Sequence, residues 1–538
     1  MTHSIDKQTE PRPWLRIDVA MLALALFVAL GTRSITIDRP FHRDPEGCGS
    51  FYGTLARNYF RYGVIKTFAV PIQNAGISPA APVFYPNHPP LLPLLVAGTY
   101  AVSGWNPTSG DVPPDWQTRL STTLATLACV ATIFVMLRNR AGLRAATFAA
   151  ILFALMPMTL VFGSQPDVIN TQLDFFALLT VAAYLRFHDS PSLSRFLLLC
   201  LAFFPAAATD WPAFHLVIVL GIHFIATRPL RQWPWIIAFG LFVAMLFFLL
   251  YAQVVAVTHD WQWMSKLVRR RALSSQTDAN HAYTMWEWIE GAVRHHAIGR
   301  HTDAGFRLLA VWLLLAMTRL RSSRSTQLIL LLLGWAILHI VIGRQGVFVH
   351  EWWWWPLTPA IAMAGGVAID WILKQPESRG ADRRIATSVA VVMICIFGIH
   401  NIRAAVAELR HPYGMSKDPA LDYSVTEMGA AIRAAAPLGE AVMLAEDDKT
   451  LSLWFYGDRA IKQKIWSVDT FESRLHDGVA DLQFDLTEQC PTAPAAMIVP
   501  KAYLSEGLKP LTDYLDSRYP KTESAKFITY ALNGTKTN

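Results

Sequence analysis

The chain has 538 residues, of which 53% are hydrophobic and 16% charged, and its mean hydropathy is +0.29. A soluble protein carries about 25% charged residues, so this composition excludes an ordinary soluble domain and places the chain among polytopic membrane proteins. The formal net charge of +7 does not indicate a nucleic-acid partner, because the basic residues fall mainly in short loops between apolar runs, where they set orientation.

Apolar runs lie near 18–37, 117–137, 143–163, 170–187, 195–209, 212–227, 233–257, 304–320, 326–342, 355–373 and 385–402. Backbone amides in lipid must be bonded within their own segment, so each run predicts a helix, about eleven spans in all. Several of the 19 Trp stand at the ends of these runs, where amphipathic rings favour the headgroup zone. The first run is too long for a signal-peptide core and lacks a small-residue cleavage site, so it reads as a retained span. The run 88–104 is broken by Pro89, Pro90, Pro93, Gly98 and Gly104 and reads as re-entrant or interfacial.

Alternate loops carry the basic residues: Lys7, Arg12 and Arg16, then Arg138, Arg140 and Arg144, then Arg186 and Arg195, then Arg228 and Arg231, then Arg319, Arg321 and Arg324, then Lys374, Arg379, Arg383 and Arg384. The bias places the N-terminus in the cytoplasm. The predicted organisation is a cytoplasmic tail (1–17), a transmembrane domain (18–410) whose first outer loop covers 38–116, and an extracytoplasmic module (411–538). Asp44, Glu46, Asp167, Asp210 and the loops 258–303 and 343–354 all then fall on the outer side. Acids near span ends are costly unless paired or solvated, so their gathering on one face is informative.

The first outer loop concentrates the chemistry. Asp44 and Glu46 follow the first span, and a carboxylate at the water–lipid boundary can take a proton from an attacking hydroxyl. Pro45 fixes φ between them, so the two side chains point differently; one acts as base while the other orients it, or both belong to an N-cap cluster for the helix predicted over Phe51–Tyr62. Further on, Tyr85-Pro86-Asn87-His88-Pro89-Pro90 presents Tyr85 and His88 at the interface, where His88 can meet a lipid phosphate. In the segment from Gly343, Arg344 suits a phosphate because a guanidinium forks onto two oxygens, while Trp352 to Trp355 read as an interfacial anchor. The basic stretch Lys266–Arg271 with Trp261 and Trp263 reads as a membrane-surface segment.

From about His411 the pattern changes to alternating helix and strand: Asp422–Ala436, then EAVMLA, DRAIKQKIW, AAMIVP and AKFITYAL. This predicts a small α/β module with no phosphate loop and no nucleophile elbow. The five cysteines have no metal-binding spacing; Cys48 and Cys490 fall on the exported side, where a disulfide between them is allowed.

Several of these stretches together resemble the integral-membrane glycosyltransferases of the C superfamily, in the branch of protein O-mannosyltransferases and the lipid A aminoarabinose transferase. They are the early acidic pair, FYGTLARNYFRYG, YPNHPPLLPLL, Arg119-Leu120, TDWPAFHLVIVL and HEWWWWPLTPAIAMA, and the likeness covers about residues 14–402. It implies an all-α polytopic fold with interfacial helices in the first outer loop and a small periplasmic α/β domain, sited in the inner membrane. It implies transfer of a sugar from a polyprenyl-phosphate donor to a lipid, glycan or protein acceptor, with inversion and with no required cofactor. Carried over by position, Asp44 is the base and Glu46 its partner or substitute, since Pro45 separates an acid pair that is often adjacent. His88 stands where relatives place a lysine and, with Arg344 and Arg57, would meet the donor phosphate. Tyr85, Asp167, Asn170, Asp174, His350 and Glu351 would line the substrate. The competing readings are a transporter or flippase of lipid-linked saccharide, for which no inverted repeat is visible, and a non-catalytic envelope assembly protein.

Overall fold

The computed structural model describes residues 16–41, 47–77, 82–107, 111–167, 171–269, 283–320, 323–378, 383–410, 424–445, 451–462, 465–476, 479–481, 486–488, 493–505 and 507–533. Every one of the eleven apolar runs forms helix: α1 (Arg16–Ser34), α4 (Asp115–Ala141), α5 (Leu143–Leu155) with α6 (Pro157–Phe162), α7 (Thr171–Asp189), α8 (Leu193–Thr209), α9 (Ala213–Thr227), α10 (Trp233–Thr258), α13 (Gly299–Thr318), α14 (Arg324–Ile342), α16 (Thr358–Ser378) and α17 (Arg383–Arg410). Between α1 and α4 lie α2 (Gly47–Tyr62) and α3 (Leu91–Val102); α11 (Trp263–Val268), α12 (Met285–Trp288) and α15 (Arg344–Val349) are short connectors. Among the described residues, six helical stretches are long and apolar enough to cross a bilayer, and the chain is a multi-pass membrane protein. The 12-residue α3 spans about 18 Å at 1.5 Å per residue, short of the roughly 30 Å hydrocarbon core, as its prolines and glycines predict.

The run 143–163 is not one helix. Met156 is extended (ψ 141°) and Pro157 restarts the chain as α6, because proline lacks an N–H and pushes the residue before it out of the α region. The carbonyls left by the break find other donors: Phe153 accepts from the Thr159 hydroxyl, Ala154 from the buried Arg33 guanidinium at 2.8 Å, and Leu155 from Asn401 at 3.2 Å. Side chains thus replace the missing ladder bonds in a place that lipid could not serve.

Two ion pairs tie the basic α4–α5 loop to the start of α1 and to α16. Arg138, at the end of α4, meets Asp18 of α1 at 2.8 Å, and Arg144, at the start of α5, meets Asp370 of α16 at 2.9 Å. The same α5–α16 contact is very close. Ala145, Ala149 and Ala150 are buried on α5, and a Cβ on Gly366 would lie 2.4 Å from the Ala145 carbonyl oxygen and 2.7 Å from Ala149 Cβ. Backbone cannot yield as a side chain can, and small residues are what allow such helices to approach. Gly366→Val is therefore expected to destabilise by about 1–3 kcal/mol, read as a lowered thermal midpoint in detergent.

The C-terminal module comprises α18 (Val425–Ala435), β1 (Ala441–Leu444), α19 (Leu451–Gly457), β2 (Ala460–Lys462), α20 (Val468–His476), β3 (Val479–Asp481), β4 (Leu486–Glu488), β5 (Ala496–Pro500), α21 (Lys509–Arg518), β6 (Lys521–Glu523) and β7 (Phe527–Ala531). Its main sheet runs β2-β1-β5-β7-β6, with β1 parallel to β2 and β5, and β7 antiparallel to β5 and β6. Val442 and Leu444 pack on one face with Met428 and Ile432 of α18. Met443 packs on the other with Leu511 and Leu515 of α21, the alternation that a strand imposes.

Candidate functional site

The end of the bundle on the side of the C-terminal module gathers the first-loop residues. α2 is buried along most of its length and holds the following loop from inside: the Asn58 amide donates to the Ile72 and Asn74 carbonyls at 2.8 and 2.9 Å, and Asn74 Oδ1 accepts from the Val83 N–H at 2.8 Å. This tether sets the approach of the chain to Tyr85 and His88. Tyr85 packs edge-on against Phe51 of α2, ring centres 4.8 Å apart, and lies 5.9 Å from the His88 ring.

His88 is not a solitary loop histidine. Its Nδ1 lies 2.8 Å from Asp210 Oδ1, at the junction where α8 ends and α9 begins. Asp210 is almost fully buried. The same oxygen accepts the Trp211 N–H at 2.7 Å, and the Trp211 indole donates to the Asn87 carbonyl at 2.8 Å, so the TDWP turn grips the YPNHPP turn at two points. Oδ2 of Asp210 is buried with no hydrogen-bond partner among the described residues. The imidazole also borders a narrow crevice with Val70, Pro71, Trp211, Leu250 and Val254, which is apolar and ends on α10. Tyr52 of α2 is buried close to Tyr85, Asp167 and Asp210; burial first, then these neighbours, push its phenol well above the usual range, so it stays a neutral hydroxyl.

A second group adjoins the first through α9 and α14, where the Trp335 indole donates to the Pro212 carbonyl at 2.9 Å. His339 of α14 sits 5.8 Å from the His215 ring of α9 and bonds the Trp353 carbonyl at 3.1 Å, which ties the TDWP helix to the Trp run. His350 stacks on Trp352 at 4.6 Å. Asp174 is fully buried in α7 and faces the Trp355 indole. Glu351 is held by Arg300 through two bonds of 2.9 and 2.6 Å. Arg344 opens α15, and its carbonyl accepts the Trp288 indole at 3.0 Å.

Arg57 is placed differently from the sequence expectation. Rather than facing a phosphate, it is fully buried, donates to the Phe455 and Trp454 carbonyls at 2.8 and 3.0 Å and pairs with Asp458 at 2.9 Å, so its guanidinium joins the first loop to the C-terminal module. Asp44, Glu46 and Asn170 lie outside the described residues, as does Cys490, the proposed partner of Cys48. Sequence reasoning noted Asp210 only as an outer-side acid and missed both its grip on His88 and Tyr52; the signal available was the Asp-Trp-Pro step between two apolar runs.

No protein-family model matches the chain, and no curated protein does. Among solved structures it is similar to ArnT from Cupriavidus metallidurans in the apo state, with a TM-score of 0.54 and 16% identity, covering 95% of this chain and 97% of that one. The same values hold for ArnT bound to undecaprenyl phosphate. The archaeal oligosaccharyltransferase AglB from Archaeoglobus fulgidus, solved with an inhibitory peptide and a dolichol-phosphate, gives a TM-score of 0.56 at 10% identity, covering 96% and 74%. The chain thus shares the polytopic membrane fold of ArnT and AglB, with a small α/β module at its C-terminus.

Proposed function

We propose that the protein is a glycosyltransferase that moves a sugar, with inversion, from a polyprenyl-phosphate donor to an acceptor hydroxyl on a lipid, glycan or protein. In this reading it works at the outer face of the inner membrane, with its N-terminus in the cytoplasm. The observation that carries the reading is the His88–Asp210 pair beside Tyr85, Asp167 and Tyr52. It is supported by a fold shared with ArnT, which has been solved with undecaprenyl phosphate. In such a reaction the acceptor loses a proton as its oxygen bonds the anomeric carbon, and the lipid phosphate departs with the electron pair of the broken bond. Asp44 or Glu46 takes the proton. In its protonated form His88 gives its Nδ1–H to Asp210 and has the Nε2–H left for the phosphate, and Arg344 adds positive charge there. Asp167, Asn170, Asp174 and His350 complete the substrate surroundings; Glu351, already paired with Arg300, acts through that ion pair.

The test is transfer by the purified protein in nanodiscs, supplied with a panel of polyprenyl-phosphate sugars and a membrane extract as acceptor. Wild type is expected to consume one donor. Loss of a bond to a charged phosphate costs about 1.5–3 kcal/mol, so His88→Ala should lower kcat/KM for the donor by roughly tenfold to a hundredfold. Asp210→Asn should move the same parameter in the same direction by less. Labelled lipid that crosses the bilayer while no donor is consumed would replace the enzyme with a transporter.

A further inference from the structure

The TDWP turn that grips His88 leads into α9, and the last turn of that helix, about 18 Å further along at 1.5 Å per residue, carries a polar cluster that the transfer reaction does not use. The His223 ring stands between Tyr184 of α7 and Gln327 of α14. The Gln327 amide donates to Nε2 at 2.8 Å, and Nδ1–H is left to donate to the Tyr184 hydroxyl at 2.5 Å, so this bonding fixes a neutral imidazole. The His188 ring lies 4.8 Å away, and its carbonyl accepts from Arg228. Beside the cluster a groove of about 470 Å³ opens between α9 and α14, a volume in the range of ligand sites. Ser323, Thr326, His223 and Gln327 make one end of it polar. Val219 and Leu330, one turn further along their helices, and Ile222 beside His223 make the rest apolar. Ile222 and Leu330 are exposed at its rim, as are Ile218 and Ile337 along the same two helices.

Cations gather at the polar end. Arg324 is exposed and stands three residues before Gln327, on the same face of α14. The charge of Arg228 acts on His223, and those of Arg186 and Arg324 act on Arg140, with Asp189 opposing them. We propose that the groove between α9 and α14 is a binding site for an anionic phospholipid, its phosphate at Ser323, Thr326 and Gln327 beneath Arg324 and Arg228, and an acyl chain along Val219, Ile222 and Leu330. The occupant is a lipid because the apolar part of the groove continues into the exposed apolar faces of two membrane helices, which a soluble anion would leave uncovered. It is anionic because a zwitterionic headgroup would bring its own ammonium against the arginines, and basic pockets between membrane helices select acidic headgroups. The neutral His223 network adds hydroxyl and amide donors without a competing charge. The proposal does not depend on sugar transfer, which is placed at the other end of α9.

The test places the full chain in phosphatidylcholine nanodiscs that carry a trace of photoactivatable phosphatidylglycerol or, in parallel, photoactivatable phosphatidylcholine, and maps the crosslinked peptides by mass spectrometry. Phosphatidylglycerol is expected to label residues 218–225 and 326–334 about fivefold or more above phosphatidylcholine, since each arginine near an anionic headgroup is worth about that factor. The exposed apolar face of α17 at Ile385, Val389 and Ile396 should take both probes equally. Arg324→Gln should lower phosphatidylglycerol labelling of the groove by about fivefold, and Ile222→Trp, which fills the apolar part, should lower labelling there by both probes. Both residues are exposed, so the thermal midpoint should stay at the wild-type value. Equal labelling of the groove by the two probes, or labelling unchanged in both variants, would overturn the site. Displacement of the phosphatidylglycerol probe by excess soluble glycerol phosphate would overturn the lipid assignment and leave a site for a free phosphate, whereas labelling that resists it supports the lipid.

Discussion

Replacing Asp44 by asparagine and Glu46 by glutamine is expected to give sharply unequal losses, with one variant losing about 10²–10⁴-fold in kcat and the other far less. The inequality follows from the separate roles proposed for the two acids, one as base and the other orienting it, with Pro45 restricting φ between them. Both substitutions are nearly isosteric and remove only the ability to hold a proton, so donor KM should stay near wild type in the damaged variant. The loss of a base that works only when ionised should also remove the rise of kcat with pH on the acid side. Rates are to be taken over a pH series with membrane insertion of each variant confirmed by thermal unfolding. Equal and small losses in both variants would remove the pair from the chemistry and move attention to Asp167 and Asp210, which lie close to Tyr52.

The helices could be read from the sequence because lipid enforces a local rule: a run that must bond its own amides shows itself as a run. The exception at Met156–Pro157 was also written locally, in the proline, but its consequence was not. Thr159 serves one freed carbonyl from six residues away, but the donors to the other two, Arg33 and Asn401, stand 121 and 246 residues from the carbonyls they serve. The site shows the same division. His88 was recognisable from its Pro-rich setting at an interface, whereas its partner Asp210 is 122 positions downstream and no spacing rule connects the two. Arg57 misled for a related reason. A cation on a helix in an outer loop reads as available, and only the fold reveals that Asp458, 401 positions later, together with two carbonyls of α19, has taken it. Side chains whose partner is near in sequence announce their role, and those paired across domains do not.

The pair that was least legible carries the largest expected effect on stability. Asp458 faces two buried arginines directly, and it also draws Arg459 towards the charged form, while Arg433 opposes the charge on both Arg57 and Arg459. Burial lowers Arg57 to about 10, with Asp458 opposing that shift, so the guanidinium is still charged at neutral pH. Removing the carboxylate leaves that charge in an interior with only peptide carbonyls to face. Truncating one partner of a buried pair costs about 3–5 kcal/mol. Asn is the informative replacement, because it tolerates the left-handed backbone that Asp458 adopts and isolates the charge from the conformation. Asp458→Asn is therefore expected to lower the unfolding midpoint of the detergent-purified protein and to expose the junction between α2 and α19 to limited proteolysis before the bundle itself opens. Because the groups are buried, the difference should persist in high salt, where a surface pair would be screened. Adding Arg57→Met to Asp458→Asn removes the stranded charge and should return part of the lost stability, with Arg61 free to turn to solvent. A single variant as stable and protease-resistant as wild type would mean that the two carbonyls of α19 suffice to hold Arg57 and that Asp458 contributes nothing to the junction.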